Sequence, residues 1–188
     1  MKRLLDIAQI GVPVLRLPTE IVSKEDLLSD PIQDFIDDLI QTMRAARGAG
    51  LAANQVHQSL RICAIEVNHN PRYPYRPNIP LTVLVNPDLS PASELMFENY
   101  EGCLSVPNLR GKVNRYCEIQ VNAMDRFGNS ISTIVKGMTA ATYQHEVDHL
   151  EGKLFIDHIS KLKRDMVFKK FTKIAKQSGK GPASPLVL

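Results

Sequence analysis

The chain has 188 residues, 44% hydrophobic and 23% charged, which fits one globular domain with a single core and excludes a disordered chain or two full catalytic domains. The formal net charge of +3 is too small to argue for nucleic acid, so no DNA partner is expected. No window approaches the roughly 18 apolar residues that a membrane span needs, so no membrane partner is expected either.

The first residues, Met1 to Asp6, imitate the start of a signal peptide. Asp6, Gln9 and Pro13 interrupt the apolar stretch and no small-x-small site follows, so the segment is not read as one. Next comes the clearest helix, residues 31–46. Ile32, Phe35, Ile36, Leu39, Ile40 and Met43 recur at helical spacing, with Asp30 as N-cap, Pro31 at the first helical position and Gly48 as the stop. The middle of the chain reads as strands at 61–67, 81–86, 113–124 and 130–136. A proline-rich loop at 68–80 separates the first two, and Asp125-Arg126-Phe127-Gly128-Asn129 turns the chain between the last two. Residues 101–107 read as a short irregular stretch. A helix is expected at 138–150 and another at about 160–177, followed by a mobile Gly/Pro/Ser-rich tail at 178–188.

Helices and strands do not alternate regularly. The expected fold class is therefore α+β, with mostly antiparallel sheets in a single catalytic domain of residues 1–177. The three cysteines, Cys63, Cys103 and Cys117, are too few and too odd in number for a disulfide framework. Cys63 and Cys117 lie in strand-like runs and read as small buried hydrophobes.

The strongest chemical signal is Gln144-His145-Glu146-Val147-Asp148-His149. On a helix, i and i+4 share one face, so His145 and His149 can hold one metal ion while Glu146 reaches a water beside it. The plain alternative is a solvated helix face with two incidental histidines. A catalytic site of this type generally has three protein ligands. Downstream, Gly152 fits one familiar protease spacing, but position 155 is Phe155 where that pattern needs His, and no Glu follows Glu151. His158, Asp157 and Asp165 remain, at no familiar spacing. Upstream, Cys103 in Glu101-Gly102-Cys103-Leu104-Ser105 would complete a Cys/His/His site with one open position, as an oxidisable thiolate.

Three segments together resemble the peptide deformylase family: Gly48-Ala49-Gly50-Leu51-Ala52-Ala53-Asn54-Gln55, Glu101-Gly102-Cys103-Leu104-Ser105, and Gln144 through Gly152. Weaker matches are Gly11 to Arg16 and Arg110 to Val113, and the resemblance spans roughly residues 6–160. It implies antiparallel sheets packed around a central metal-binding helix, with an N-terminal and a C-terminal helix. It implies Cys103, His145 and His149 as ligands of one divalent ion and Glu146 as the catalytic acid/base. Ligand chemistry alone points to zinc. The resemblance implies Fe²⁺ in cells, with Zn²⁺, Ni²⁺ or Co²⁺ able to occupy the site.

The implied substrate is a nascent polypeptide beginning with N-formylmethionine, and the implied products are formate and a free amino terminus. The Gln55 side chain and the Leu104 backbone N–H would donate to the oxyanion. Gly48, Ala49, Gly50, Gly102 and Arg110 would contact substrate, with Gly50 and residues near Gly102 pairing with an extended peptide. Met138, Ala141 and Thr142 would face an apolar methionine pocket. Position 49 is usually a branched aliphatic in the family and is Ala49 here. Asp148 is a candidate ion-pair partner for Arg110 or Arg115 on charge alone.

Two other readings stand beside this one: a metallopeptidase of the HExxH type, and a non-enzymatic relative that binds peptide ends or ribosomes. The charge adds a partner. Residues 161–180 hold eight basic residues against Asp165, so this segment carries +7 and the rest of the chain −4. A docked helix with a solvated basic face is the plain reading. Some family members use such a helix to contact the ribosome, and the same is expected here. The expected location is the bacterial cytoplasm, a mature organellar form being the alternative.

Overall fold

The computed structural model describes residues 3–68 and 77–177. An extended segment with a 3-10 turn at Pro13–Arg16 leads into the single-turn helix α1 (Lys24–Leu27) and the long helix α2 (Asp30–Ala45). Strands β1 (Gly50–Ala52), β2 (Ile62–Val67), β3 (Ile79–Pro91), β4 (Met96–Cys103), β5 (Val106–Tyr116), β6 (Glu118–Met124) and β7 (Ser130–Lys136) follow. Helix α3 (Gly137–Leu150), a 3-10 turn at Phe155–His158 and helix α4 (Lys161–Gln177) come last.

All the strand pairs are antiparallel. They form a five-stranded sheet in the order β1-β2-β3-β6-β7 and a separate β4-β5 hairpin. Helix α3 touches β1, β2, β3, β5, β6 and β7, so it lies at the centre of the molecule. This is the α+β architecture expected from the sequence.

The period-2 geometry of the strands explains why two helices can sandwich one sheet. Ile62 and Ala64 of β2, with Val83 and Val85 of β3, pack towards Ile36, Leu39, Ile40 and Met43 of α2. The alternate residues Cys63, Ile65 and Leu84 pack towards Ala140, Tyr143 and Leu150 of α3. Both faces are buried, which is why β2 reads as a continuous apolar run. A third cluster, with Val106, Leu109, Val113 and Phe155, lies under the β4-β5 hairpin.

The structure corrects the sequence reading in four places. The strand expected at 113–124 is two strands in different sheets. The chain leaves the hairpin at Tyr116, and Cys117 donates its N–H to Leu95 O and accepts from Gly137 N before β6 begins. Apolar alternation continues through this break, so the pattern could not reveal it, and Cys117 is half-buried at the junction rather than in a strand core. The stretch 101–107 is not irregular. It is the end of β4, a tight turn at Leu104-Ser105 and the start of β5.

β4 escapes detection because its buried face carries Asn99, Glu101 and Cys103, so polar residues occupy the core phase. β3 runs from Ile79 to Pro91 and includes Pro80, beyond the expected 81–86. Helix α2 has Ser29 at its N-cap, and its left-handed exit residue is Arg47 (φ 54), not Gly48. The tail at 178–188 and most of the proline-rich loop lie outside the described residues.

Leu39, fully buried between α2 and the sheet, tests this packing. Leu39→Ala is expected to cost about 2–5 kcal/mol of stability in urea unfolding, while the folded fraction keeps its site geometry.

Candidate metal centre

Three chain segments converge beside α3. The first is β1 and the 3-10 turn Ala53–Val56 that follows it, carrying Gln55. The second is the β4-β5 turn with Cys103 and Leu104. The third is α3 itself, with Thr142, His145, Glu146 and His149. The N-terminal strand-like segment ties the first two together: Ala8 N–H donates to Gln55 O and Ile10 N–H to Ser105 O, each at 2.8 Å.

The i, i+4 spacing does place both histidines on one face of the helix. One donor atom from each of Cys103, His145 and His149 lies within 4.8 Å of the others, and Cys103 Sγ is 3.2 Å from His149 Nε2. The two imidazoles meet edge to face with centroids 5.0 Å apart. Burial alone would push the Cys103 thiol up. The charge of His149 and hydrogen bonds from both histidines outweigh it and bring the thiol down to about 5. A thiolate and two imidazoles converging on one point, with an open side towards a cleft, fit a divalent ion with one free position.

The orientation of His145 is set from behind. Its Nδ1 donates to Glu101 Oε2 at 2.8 Å, leaving Nε2 for the metal position. Glu101 in turn takes a two-pronged contact from Arg115, Nε to Oε1 at 2.8 Å and Nη2 to Oε2 at 3.0 Å. Arg115 Nη1 reaches Asp148 Oδ2 at 2.6 Å. So Asp148 pairs with Arg115, not with Arg110. Burial works against the Glu101 carboxylate, but hydrogen bonds from Arg115 and His145 hold it well below the usual carboxylate range. His149 has no such support: among the described residues its buried Nδ1 has no hydrogen-bond partner.

Gln55 both caps its own turn and faces the site. Its Oε1 accepts the Ala52 N–H at 2.9 Å, which is turn capping. That bond fixes the amide orientation and turns Nε2 into the site, 3.0 Å from Ser105 Oγ and 3.5 Å from Cys103 Sγ.

The cleft is lined by Gly48, Ala49, Gly50, Gln55, Glu101, Gly102, Cys103, Leu104, Thr142, His145 and Glu146. Eight of these eleven positions lie in the first two motif segments, which the fold brings together in one groove. A Cβ on Gly50 would run into the Glu146 carboxylate, and a Cβ on Gly48 would sit 2.9 Å from Leu104 Cδ1. Neither glycine has a positive φ, so what distinguishes them is close approach, tightest at Gly50.

A family model described as "Polypeptide deformylase" matches residues 4–165. The chain belongs to the polypeptide deformylase family. It is 43% identical over 156 residues to peptide deformylase 2 of Nostoc sp., covering 83% of this chain and 86% of that protein. It is 37% identical over 174 residues to the peptide deformylase of Stutzerimonas stutzeri, covering 93% and 98%. The crystal structure of the class I type b peptide deformylase from Acinetobacter baumannii with Met-Ala-Ser bound superposes with a TM-score of 0.81 at 38% identity, covering 85% of this chain and all (100%) of that one. The peptide deformylase of Ehrlichia chaffeensis gives a TM-score of 0.83 at 32% identity, covering 94% and 99%.

Not every residue singled out from sequence reaches the cleft. Ala141 is buried and Met138 half-buried, and neither is among the cleft-lining residues. Arg110 is exposed and stands opposite Gly102 in the β4-β5 register, at the rim. Glu101, Arg115 and Ser105 were given no site role from sequence. A signal for Arg115 was present: it occupies the same strand phase as the buried Leu109 and Val113, where a charge needs a buried partner.

Gly50→Ala tests the close approach to Glu146. Displacing the carboxylate by an ångström is expected to lower kcat on the order of 10²-fold, while metal content, measured by elemental analysis, stays at the parental level.

Proposed function

We infer that this chain is a metal-dependent hydrolase that removes the formyl group from N-formylmethionyl polypeptides, releasing formate, and that its reaction takes place in the cleft beside α3. One observation carries the reading: in a chain of this family, the Cys103/His145/His149 donor set and the Glu146 carboxylate meet in the same groove as Gln55. Cys103, His145 and His149 would hold one divalent ion, Fe²⁺ by family likeness, with Zn²⁺, Ni²⁺ or Co²⁺ able to take its place. When bound, the ion supplies Lewis-acid polarisation of a water and of the formyl carbonyl.

The chain's own residues do the rest. Glu146 accepts a proton from the attacking water and delivers it to the leaving amide nitrogen. Gln55 Nε2 and the Leu104 N–H donate to the oxyanion as the carbonyl carbon becomes tetrahedral. β1 is an edge strand of its sheet and borders the cleft. An extended nascent chain pairing with Gly50 and, across the groove, with the region of Gly102 would be held through its backbone. That mode tolerates any sequence after the methionine. Ala49 and Thr142 contribute to the wall for the methionine side chain, and Met138 and Ala141 support that wall from the same helix. Arg110 stands at the entrance. The Acinetobacter relative was crystallised with Met-Ala-Ser. A peptide with a free methionyl amino terminus is what remains after the formyl group leaves.

The HExxH peptidase reading finds no support in the site, because the third converging donor is Cys103 from β4 rather than a residue downstream of α3. Formyl-Met-Ala-Ser is expected to yield formate with no internal peptide cleavage, and Glu146→Ala is expected to abolish turnover while keeping the metal. Cleavage of an unformylated protein, or parental activity in Glu146→Ala, would overturn the mechanism.

A second reading concerns α4. Lys161, Lys169 and Lys173 are exposed on this helix, and Phe168 packs on the cluster beneath the hairpin, so a docked helix carries a solvated basic face. We propose that this face contacts the ribosome, where nascent chains emerge in the bacterial cytoplasm. Among the described residues no helix is long and apolar enough to cross a membrane. Removing residues 161–188 is expected to weaken ribosome co-sedimentation in a salt-dependent manner, with little effect on formate release from a tripeptide. Equal ribosome binding by the full and shortened chains would refute this.

A further inference from the structure

His158 has no part in the chemistry described above. It ends the 3-10 turn Phe155–His158, and its side chain is 34% exposed at the edge of a second cavity. That cavity is lined by Gln144, Val147 and Asp148 of α3 and its C-cap Glu151, together with Arg115. At about 100° per residue these helix positions face away from His145, Glu146 and His149. The second cavity is thus on the far side of the helix that carries the metal ligands.

Asp148 Oδ2 accepts two bonds there, one from Arg115 Nη1 at 2.6 Å and one from His158 Nε2 at 2.7 Å. A carboxylate only accepts, so His158 Nε2 carries a proton in this contact. His158 Nε2 and Arg115 Nη1, 3.5 Å apart, are then two donors converging on one oxygen rather than partners of each other. Arg115 turns its other edge to Glu101, and Glu101 Oε2 meets His145 Nδ1. Side-chain exposure falls from 34% at His158 to 16% at Asp148, 4% at Arg115 and 2% at Glu101. A continuous chain of charged hydrogen bonds therefore runs from the solvent edge, through the body of the protein, to the back of a metal ligand.

We propose that His158 is a positioning residue for His145. The Asp148 carboxylate faces the second cavity. With Arg115 as its sole donor it can turn towards water and draw the guanidinium with it. The His158 donor pins Oδ2, which holds the plane of Arg115, which holds both oxygens of Glu101, which keeps His145 presenting Nε2 to the metal position. The inference rests on the reading of Cys103, His145 and His149 as metal ligands. It adds to that reading a residue on the opposite face of α3, outside the cleft.

The test uses the full chain prepared without metal and titrated with Co²⁺ against a competing chelator. The visible Co²⁺ absorption and formate release from formyl-Met-Ala-Ser are measured alongside. His158→Phe is expected to weaken Co²⁺ binding roughly 3- to 10-fold, less than the roughly 10- to 100-fold typical of groups bonded directly to a ligand imidazole. It is also expected to shift the Co²⁺ absorption and to lower kcat with KM unchanged. His158→Gln keeps a donor towards Asp148 and is expected to restore the parental affinity and spectrum. Parental affinity and spectrum in His158→Phe would overturn the proposal. So would an equal loss in the Phe and Gln variants, which marks a packing role. Failure of the parent to bind Co²⁺, or binding unchanged in Cys103→Ala, overturns the ligand assignment itself and this inference with it, and is distinguishable because it is seen before any His158 variant is compared.

Discussion

The Arg115 guanidinium is the buried cation at which the β4-β5 hairpin meets α3. It belongs to β5, it grips Glu101 of β4, and it reaches Asp148 of α3. Cys103 is two residues from Glu101 on the same buried strand face, and His145 and His149 flank Asp148 on the helix. The placement of this cation, with the Tyr116–Gln144 and Glu101–His145 contacts, holds the strand that supplies the thiol against the helix that supplies the imidazoles. Burying such a group is costly, and leaving one partner uncompensated costs about 3–5 kcal/mol. The arrangement acts as a constraint on geometry, since the docking of hairpin on helix has to satisfy all three charges at once.

The five-stranded sheet provides the second fixed wall. Its β1–β3 strands are covered on one face by α2 and on the other by α3, so β1 cannot shift without disturbing two cores. Glu146 is packed hard against Gly50 on that strand. The Glu146 carboxylate is thereby positioned by the sheet, while His145 is positioned by the hairpin through Glu101. Gln55 links the two, anchored to Ala52 by its oxygen and directed at Cys103 and Ser105 by its nitrogen. Glu146 and His145 come from α3 and Gln55 from the turn after β1; His145 and Gln55 are oriented by polar contacts behind them, and Glu146 by its close packing on Gly50.

Much of this was legible in the sequence because it depends on local periodicity. Helix α2 follows from apolar spacing, the shared face of His145 and His149 from 3.6 residues per turn, and the alternation of β6 from period two. The three motif segments also stood out as residue types in a fixed order. β4 and the break at Cys117 were not legible, for related reasons. β4 buries Asn99, Glu101 and Cys103, which inverts the usual signal, and the β5-β6 junction keeps its alternation while changing sheets.

The sequence by itself determined the chemistry available: a thiol at Cys103, two imidazoles at helical spacing, a carboxylate beside them and a glutamine a few residues after two glycines. It also determined that the fold would be α+β, because amphipathic patterns are local. Only the tertiary structure decided which third donor meets the two histidines, which carboxylates partner Arg115, and which of the candidate pocket residues reach the cleft. Those outcomes depend on contacts between residues some 14 to 48 positions apart, such as Glu101 with Arg115 and Gln55 with Cys103. No local pattern encodes such contacts; they are selected by the simultaneous burial of charges and apolar faces when hairpin, sheet and helix close on one another.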